Sequence, residues 1–300
     1  FTFGEVYDEE ERIAGFIGRR ADQAGDIVGV DAALDFPLFF RLPSVAKGFT
    51  PPGVLSDMYE HRKQVERTVI SSHGEASRYF VTFLDNHDQH QRLRYEDPTD
   101  PTRYDGQAIL ALGCLVSLQG IPCVYYGTEQ GLHGSGDQDL CVREALWGKP
   151  GAFDLTRPYP AAVAALLALR GREPALRYGR QYFRPISGDG VHFGPSRLAA
   201  GVVAFSRILS GTELLVVANT NPAAGWAGQV IVDGSLADPG RPPMLLWGNA
   251  AAPAAAAAPV DRAGADLVVA EVDGQVGHGP LRTVGMTLGP AEIQVLRTSP

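Results

Sequence analysis

Phe80-Val81-Thr82-Phe83-Leu84-Asp85-Asn86-His87-Asp88-Gln89 is the stretch from which the fold is predicted, because its side chains change abruptly from apolar to polar after Leu84. Apolar residues on both faces are typical of a strand in a covered parallel sheet. In such sheets, ligands bind beyond the carboxyl ends of the strands. Asn86, His87 and Asp88 are therefore predicted to lie where chemistry takes place.

Two other segments have the same design, an apolar run that ends in a carboxylate. They are Phe1-Thr2-Phe3-Gly4-Glu5-Val6-Tyr7-Asp8 and Gly120-Ile121-Pro122-Cys123-Val124-Tyr125-Tyr126-Gly127-Thr128-Glu129-Gln130-Gly131. Apolar residues at helical spacing predict helices over residues 9–20, 56–70 (with Ser56 as the N-cap), 107–118 and 160–171. Strands that alternate with helices predict a β/α barrel whose site lies at one face.

The residues after about Tyr178 follow a different pattern. Short apolar runs at 202–205, 213–219, 229–232 and 292–296 are separated by Gly, Pro and Asn turns without intervening helices. Regular short strands of this kind predict an antiparallel β-sandwich. The Ala- and Pro-rich residues 250–259 predict a surface loop, since their prolines do not fit a long helix.

The residues of the three strand-end segments, and the order of these segments along the chain, resemble the α-amylase family, glycoside hydrolase family 13. The segment with Glu5 resembles the family's fifth barrel strand, the segment with Asp88 its seventh, and the segment with Glu129 its eighth. The resemblance covers about the whole chain. It implies an α/β plus all-β fold, with the second half (strands five to eight) of a TIM-type (β/α)8 barrel over residues 1–178 and an antiparallel β-sandwich over residues 179–300.

The resemblance also implies roles for three residues. Glu5 is the candidate general acid/base, Asp88 the candidate transition-state-stabilising carboxylate, and His87 a candidate donor to a sugar hydroxyl. A retaining glycosidase needs two carboxyl groups about 5 Å apart, and its acid must stay protonated near neutral pH. Glu5 follows Phe1 and Phe3 and is expected to face other carboxylates, so apolar surroundings and like charge are both available to hold its proton.

Alternatives stay open for the candidate substrate-binding residues. Tyr7 either offers a flat apolar platform for a sugar ring or packs within the barrel, and the same holds for Tyr125 and Tyr126. Asn86 either touches sugar or orients its loop. Arg92 either reaches a sugar or a carboxylate or packs within its loop. Glu129 is either structural or an outer substrate contact. The loop after the eighth strand either borders the substrate cleft or is solvated, and the solvated loop is favoured; its polar residues are Asp137, Gln138, Asp139, Arg143 and Glu144.

Residues 28–31, Val-Gly-Val-Asp, look superficially like the family's nucleophile motif, Gly-x-Arg-x-Asp at the end of its fourth strand. They follow Glu5 instead of preceding it, and no Arg stands two residues before Asp31. Asp31 and Asp35 are therefore predicted to be polar residues around a sixth strand at about 27–40. The nucleophile is expected upstream of Phe1, so residues 1–300 alone are expected to be inactive.

The leading hypothesis for function is a glycoside hydrolase that acts with retention on α-glucosidic bonds of starch-like glucans, maltooligosaccharides or disaccharides. An α-glucan or sucrose transglycosylase of the same family differs in that a sugar, and not water, attacks the covalent intermediate. A non-catalytic carbohydrate-binding homologue is the alternative of another class. The joint presence of Glu5, His87 and Asp88 argues against that alternative.

Composition limits the partners. The net charge of −8 argues against nucleic acid and anionic membrane, and no apolar run approaches the roughly 20 residues of a membrane helix. Cys114, Cys123 and Cys141 are odd in number and form no Cys-x-x-Cys pair, which predicts buried free thiols in a reducing compartment and hence a cytoplasmic protein. No cofactor or metal is expected from these residues. Calcium is implied only by the resemblance, with ligands from the part before Phe1, and the expected partner is an α-glucan or oligosaccharide.

Overall fold

The computed structural model describes residues 1–18, 20–21, 24–66, 75–134, 139–264, 266–270 and 276–299. Up to Tyr178, the described chain alternates short strands with helices. The strands are β1 (Phe3–Gly4), β2 (Arg20–Ala21), β3 (Ile27–Val28), β4 (Ala32–Leu34), β5 (Phe80–Thr82) and β6 (Ile121–Pro122). The helices are α1 (Glu10–Ala14), α2 (Phe36–Phe39), α3 (Leu42–Ala46), α4 (Gly53–Glu66), α5 (Asp105–Ser117), α6 (Pro158–Arg172) and α7 (Pro174–Tyr178).

Strands β1, β4, β5 and β6 form a parallel sheet in this order. Phe3 of β1 pairs with Ala32 of β4, and Val81 of β5 pairs with Ile121 of β6. Phe80 and Val81 are both buried, as the lack of alternation in their segment predicts. Since the four strands run in the same direction, the residues that follow them lie along one edge of the sheet. The predicted β/α alternation is confirmed in this part of the chain.

The prediction of one strand over about 27–40 is wrong. Strand β3 pairs with β2 in a separate antiparallel ribbon, and only Ala32–Leu34 joins the parallel sheet. Asp35 then begins α2, because its carboxylate accepts a hydrogen bond from Leu38 N at 3.1 Å and Pro37 stands in the first turn. An N-cap aspartate followed by a first-turn proline starts a helix where the apolar run alone suggested a longer strand.

The predicted helices at 107–118 and 160–171 are confirmed by α5 and α6, and Gln107–Ser117 is buried throughout. Helix α1 covers only the first part of the predicted 9–20. Helix α4 begins at Gly53, so Ser56 lies inside it and donates its hydroxyl to the Gly53 carbonyl at 2.7 Å instead of capping the helix. Val69 and Ile70, predicted to lie on this helix, are outside the described residues. No helix in the part of the chain that the structure describes combines the length and the apolar character needed to cross a bilayer.

After Tyr178, the described chain consists mainly of antiparallel strands, and all four predicted strand segments are confirmed. The strands are β7 (Arg180–Phe183), β8 (Ile186–Ser187), β9 (His192–Phe193), β10 (Val202–Leu209), β11 (Thr212–Asn219), β12 (Trp226–Val232), β13 (Met244–Gly248), β14 (Val260–Arg262), β15 (Val268–Ala270), β16 (Val276–Gly277), β17 (Leu281–Leu288) and β18 (Ile293–Arg297). They form sheets in the orders β13-β18-β11-β10-β7, β14-β17-β12-β8 and β16-β15-β9. Residues 250–259 contain neither helix nor strand, as predicted, although Ala256 is buried.

The five-stranded sheet is buried on both faces. On one face, Leu215 and Val217 share a core with Val230 of the four-stranded sheet. On the other face, Phe205 and Val216 share a core with the helices α3, α5, α6 and α7. Burial on both faces explains why β10 and β11 have long apolar runs without alternation. One core therefore joins the helical part to the antiparallel part, and the division into domains at 1–178 and 179–300 stays a prediction.

Two arginines cover the carboxyl end of α5. Arg207 of β10 is fully buried and donates hydrogen bonds to the carbonyls of Ser117 at 2.8 Å and Gly179 at 2.9 Å. Arg170 of α6 donates to the Val116 carbonyl at 2.6 Å. Cations at the last carbonyls of a helix complement its dipole, so these contacts fasten α5 to both of its neighbours.

Candidate functional site

Glu5 and Asp88 follow two strands of the parallel sheet, β1 and β5, at the carboxyl edge. Both side chains are exposed, and no donor in the described part of the chain binds the Glu5 carboxylate. The expectation that Phe1 and Phe3 surround Glu5 with apolar groups is wrong for this structure, because the two residues are themselves 81% and 53% exposed. The reason is that Phe3 lies on β1, the edge strand of its sheet, and Phe1 precedes that strand.

Asp88 is held from one side by an arginine that follows β6. Arg143 donates from Nη2 to Asp88 Oδ1 at 2.6 Å and from Nε to the His87 carbonyl at 2.8 Å. The second carboxylate oxygen, Oδ2, lies 3.3 Å from His87 Nε2. Because Asp88 and Arg143 are both nearly half exposed, the carboxylate is fixed in direction but remains open to a ligand.

Asn86 shapes the loop that presents these groups. Its side-chain oxygen accepts hydrogen bonds from the backbone N–H of Asp88 at 3.0 Å and of Gln89 at 2.9 Å. The residue is buried, at 8% exposure. Of the two alternatives for Asn86, the structure therefore shows that its side-chain oxygen orients the loop, while its assignment to substrate binding stays a prediction.

Arg92 is fully buried, so its assignment to substrate binding is corrected. Its guanidinium donates to both carboxylate oxygens of Glu144, at 3.2 and 2.9 Å, and to the Tyr126 carbonyl at 2.9 Å. It also lies over the rings of Tyr125 and Tyr126, at 5.1 and 5.3 Å from their centroids. The carboxylate that Arg92 reaches belongs to the protein, and no part of its side chain is left for a sugar.

The sequence analysis favoured a solvated loop after β6, but part of this loop is buried and bound by other side chains. Glu144 binds Arg92 and also accepts from Lys149 Nζ at 3.0 Å, and these hydrogen bonds hold the pKa of Glu144 below its usual value against the effect of burial. The neighbouring Arg143 binds Asp88. This loop therefore borders the carboxyl edge. Asp137 and Gln138 lie outside the described residues, as does the side chain of Asp139.

The aromatic candidates are divided between exposure and packing. Tyr7 is 65% exposed, while its ring contacts Phe36 and Phe40 with centroids 4.8 and 5.4 Å apart. Tyr7 thus keeps a surface for a sugar ring. Tyr125 and Tyr126 instead tie the loop after β6 with their hydroxyls, which donate to the carbonyls of residues 142 and 144. Glu129 accepts from Gly127 N at 2.8 Å and is local scaffolding.

Asp85 is a buried carboxylate for which the sequence analysis predicted no role. Its Oδ2 accepts from Leu93 N at 3.1 Å, and the Thr128 hydroxyl lies 2.8 Å from both carboxylate oxygens. Burial raises the pKa of Asp85, opposed by these hydrogen bonds. Asp85 therefore joins the loop after β5 to the segment after β6. The available signal was its position as the first polar residue after the apolar run.

Asp31 and Asp35 lie around β4, as predicted, and neither stands free at the carboxyl edge. Asp31 precedes β4, at the opposite edge of the sheet, and its Oδ2 accepts from Thr2 N at 2.6 Å. Asp35 is fully buried and accepts two hydrogen bonds from Arg62, at 2.9 and 2.7 Å.

Among the described residues, one group of three side chains has the spacing of metal ligands: Glu10, Glu11 and His61, with ligand atoms within 4.8 Å of one another. A histidine in the set does not suit calcium, which prefers oxygen ligands. Arg62 also lies 3.6 Å from Glu10 Oε1 and supplies positive charge there already. These residues do not fit the calcium that the resemblance implies.

Comparison with curated proteins finds relatives that are named as cyclomaltodextrin glucanotransferases and α-amylases. No protein-family model matches the chain. A cyclomaltodextrin glucanotransferase from Geobacillus stearothermophilus is 31% identical over 189 residues, which are 63% of this chain and 23% of that protein. An α-amylase from Streptomyces lividans is 28% identical over 264 residues, covering 76% of this chain and 25% of that protein. The chain thus spans about a quarter of the length of these curated relatives.

Solved structures show the same fold. An α-amylase from H. orenii matches with a TM-score of 0.63 at 18% identity and covers 99% of this chain and 53% of that one. A γ-cyclodextrin glucanotransferase from alkalophilic Bacillus clarkii matches with a TM-score of 0.62 at 22% identity and covers 100% of this chain and 36% of that one. At these identities the likeness establishes architecture.

Proposed function

Because the chain belongs to the α-amylase family, we propose that its parallel strands β1, β4, β5 and β6 are strands five to eight of a (β/α)8 barrel. The antiparallel sheets from β7 onward are then the β-sandwich that follows the barrel, with the boundary between residues 178 and 179. Support comes from the parallel order of the four strands and from coverage of nearly the whole chain in the structural matches.

For the natural protein that contains this sequence, we propose cleavage of α-glucosidic bonds with retention. The observation that carries the proposal is the Asp88 carboxylate, fixed by Arg143 yet open, on the same sheet edge as Glu5. Glu5 gives its proton to the glycosidic oxygen as the bond to the anomeric carbon breaks. The Asp88 carboxylate stabilises the positive charge that develops on the sugar ring.

The nucleophile of a retaining reaction must be a further carboxylate. Asp35 and Asp85 follow β4 and β5, but both are buried and engaged by protein donors, and Asp31 is at the opposite edge. We therefore propose that the nucleophile is supplied by sequence before Phe1. The inactivity of residues 1–300 alone stays a prediction.

Water or a sugar hydroxyl completes the reaction, and Glu5 takes its proton as it attacks the glycosyl-enzyme. Hydrolysis is the proposed outcome, and transglycosylation is the second candidate because the relatives include glucanotransferases as well as amylases. The proposed substrate is a neutral α-glucan or oligosaccharide. No cofactor takes part in this proposal, and cytoplasmic location stays a prediction from the thiols, of which Cys114 is buried and Cys123 exposed.

The natural protein assayed with maltoheptaose, with the anomeric form of new chain ends followed by NMR, tests this function. We expect α-anomers to appear first, and either β-anomers or no turnover of any α-glucan would overturn the proposal.

Glu5→Gln keeps the side chain's size but removes its transferable proton, so the rate on maltoheptaose should fall by a factor on the order of 10² or more. The loss should be smaller for aryl glycosides, whose leaving groups need little protonation. Equal losses on both substrates would remove Glu5 from its assigned role.

A further inference from the structure

We propose that a second cleft, separate from the one at Glu5 and Asp88, binds a neutral glucan chain. The cleft has a volume of about 730 Å³ and lies between the loop after β5, the loop after α3 and Pro222 of the antiparallel part. None of the predicted catalytic residues lines it. The choice of a glucan as ligand rests on the proposed function, whereas the existence of the binding surface does not.

Three aromatic side chains line this cleft: Phe49, Tyr95 and Tyr104. Phe49 is 76% exposed and Tyr95 is 56% exposed, and both line the same cleft, so their apolar surfaces are grouped there instead of being scattered singly. The rings of Tyr95 and Tyr104 lie with centroids 5.7 Å apart and planes inclined by 56°. Together these two tyrosines form an aromatic corner, in which the Arg103 guanidinium lies 5.4 Å from the centroid of the Tyr104 ring and Tyr95 offers the larger exposed surface.

The aromatic corner is built by a buried ion pair. Tyr95 directly follows Arg94, and Tyr104 directly precedes Asp105. Arg94 Nε donates to Asp105 Oδ1 at 2.8 Å, and the Arg94 side chain is only 5% exposed. The ion pair therefore closes the loop between the two tyrosines and brings their rings together.

Further hydrogen bonds keep this loop in shape without a ligand. Arg94 also donates to Glu96 Oε2 at 2.6 Å and to the carbonyls of Gly131, at 3.2 Å, and Pro101. Asp97 Oδ1 accepts from Thr99 N at 2.8 Å. A loop that is ordered before binding loses little conformational entropy when a ligand arrives, which favours binding at its aromatic corner.

The polar groups of the cleft suit the hydroxyls of a sugar. Gln91 and Gln107 offer amides, and Glu96 Oε1 lies 3.3 Å from His133 Nε2. The hydrogen bond from Arg94 holds the pKa of Glu96 below its usual value, so the carboxylate is an acceptor at neutral pH.

A pyranose ring matches this combination because it has an apolar C–H face for an aromatic ring and hydroxyls around its rim. The volume falls within the roughly 300–1,000 Å³ typical of small-molecule sites. The lining contains the cation Lys47 and the anion Glu96, while Arg92 and Arg94 already have carboxylate partners. A neutral ligand is therefore favoured over a charged one.

Affinity electrophoresis of the natural protein in gels containing soluble starch tests the cleft, in a Glu5→Gln background in which digestion of the starch is slowed. Tyr95→Ala combined with Tyr104→Ala should weaken retention of the protein by about tenfold, the effect of removing roughly 1.4 kcal/mol of ring contact. Tyr178→Ala is the matched control, because Tyr178 is similarly exposed at 53% but lies outside the cleft. Tyr104→Phe should keep the retention, and thermal unfolding of each variant verifies that it folds.

Kinetics of otherwise unsubstituted enzyme separate this cleft from the catalytic one. The double variant should raise KM for starch with kcat unchanged and leave kcat/KM for a short aryl maltoside unaltered. Retention of the double variant equal to that of Tyr178→Ala would overturn the proposal, as would retention by gels of a β-linked glucan alone. Retention that depends on both tyrosines, in a protein that turns over no glucan, would support the cleft and reject the proposed catalysis.

Discussion

Asp85 and Asp88 stand in the same loop, only three positions apart, and have opposite surroundings. Asp85 is buried, and its carboxylate oxygens accept hydrogen bonds from Leu93 N and the Thr128 hydroxyl. Asp88 is 45% exposed, and among the described residues Arg143 binds its Oδ1 while His87 Nε2 lies 3.3 Å from its Oδ2. One carboxylate is thus consumed in building the loop, and the other is presented by it.

The two arginines that brace this loop differ in the same way. Arg92 is fully buried on Glu144, whereas the side chain of Arg143 is 44% exposed. Both carboxylate–arginine pairs join the loop after β5 to the loop after β6. The comparison teaches that the exposed pair of Asp88 and Arg143 depends on the buried pair of Arg92 and Glu144, which holds the same two loops together. We therefore expect substitutions in the exposed pair to affect activity and substitutions in the buried pair to affect stability.

The largest expected effect is on the exposed pair's carboxylate. Asp88→Asn in the natural protein should lower kcat by about 10²–10³, because a neutral amide stabilises the developing positive charge far less than a carboxylate does. KM should change little, since the charge develops only in the transition state. Steady-state kinetics on maltoheptaose give both constants. A normal kcat with a raised KM would make Asp88 an ordinary binding residue.

The next largest effect is on stability, at the buried pair. Arg92→Met keeps apolar volume but leaves Glu144 buried with Lys149 as its remaining partner. We expect the free energy of unfolding to fall by about 3 kcal/mol, as for other broken buried pairs. Urea unfolding followed by circular dichroism measures this fall. A loss below about 1 kcal/mol would mean that the Arg92 pair is no more structural than an exposed one.

Arg143→Met should show the reverse combination. The pair with Asp88 is exposed, so stability should change by less than about 1 kcal/mol. The carboxylate loses the donor that fixes its direction, so kcat should fall by about tenfold while KM stays within about twofold. Arg143→Lys keeps the charge and should recover part of the loss. A normal kcat in Arg143→Met would show that the donor has no positioning role.

The sequence predicted best those features that depend on local pattern. The strand β5 and the strands β10 and β11 were predicted because burial on both faces gives uninterrupted apolar runs. The start of α2 carried a local signal as well, Asp35 followed by Pro37, which the apolar run around it masked. Strand β17 was missed because Gly285 and its threonines interrupt the apolar run, and its burial depends on its pairing with β12.

The two arginine–carboxylate pairs that hold the loops of the site together could not be predicted from local pattern. Arg92 and Glu144 are separated by 52 residues, and Asp88 and Arg143 by 55. No periodicity within either segment indicates which carboxylate meets which arginine, since the pairing is set by the neighbouring positions of β5 and β6 in the sheet. The family resemblance assigned Asp88 its role, but only the packed loops distinguish the buried arginine from the exposed one.

The smallest effect is expected at Asp85, and it should depend on pH. Burial raises the pKa of Asp85 above its unfolded value of 3.8, against the hydrogen bonds from Leu93 N and Thr128 and the charges of Arg92 and Lys47. The native state therefore binds this proton more tightly than the unfolded chain. Stability from this group is greatest below the unfolded pKa and falls as pH rises through the folded pKa.

Asp85→Asn keeps an acceptor oxygen for Leu93 N but does not ionise, so the variant should lack this loss. Urea unfolding between about pH 4 and about pH 8 should show the wild type losing stability relative to Asp85→Asn as pH rises. Asp88→Asn is the matched control, because it removes an exposed carboxylate from the same loop. Parallel pH curves for wild type and Asp85→Asn would show that burial does not set the proton affinity of Asp85, and the contrast between the two aspartates would then rest on geometry alone.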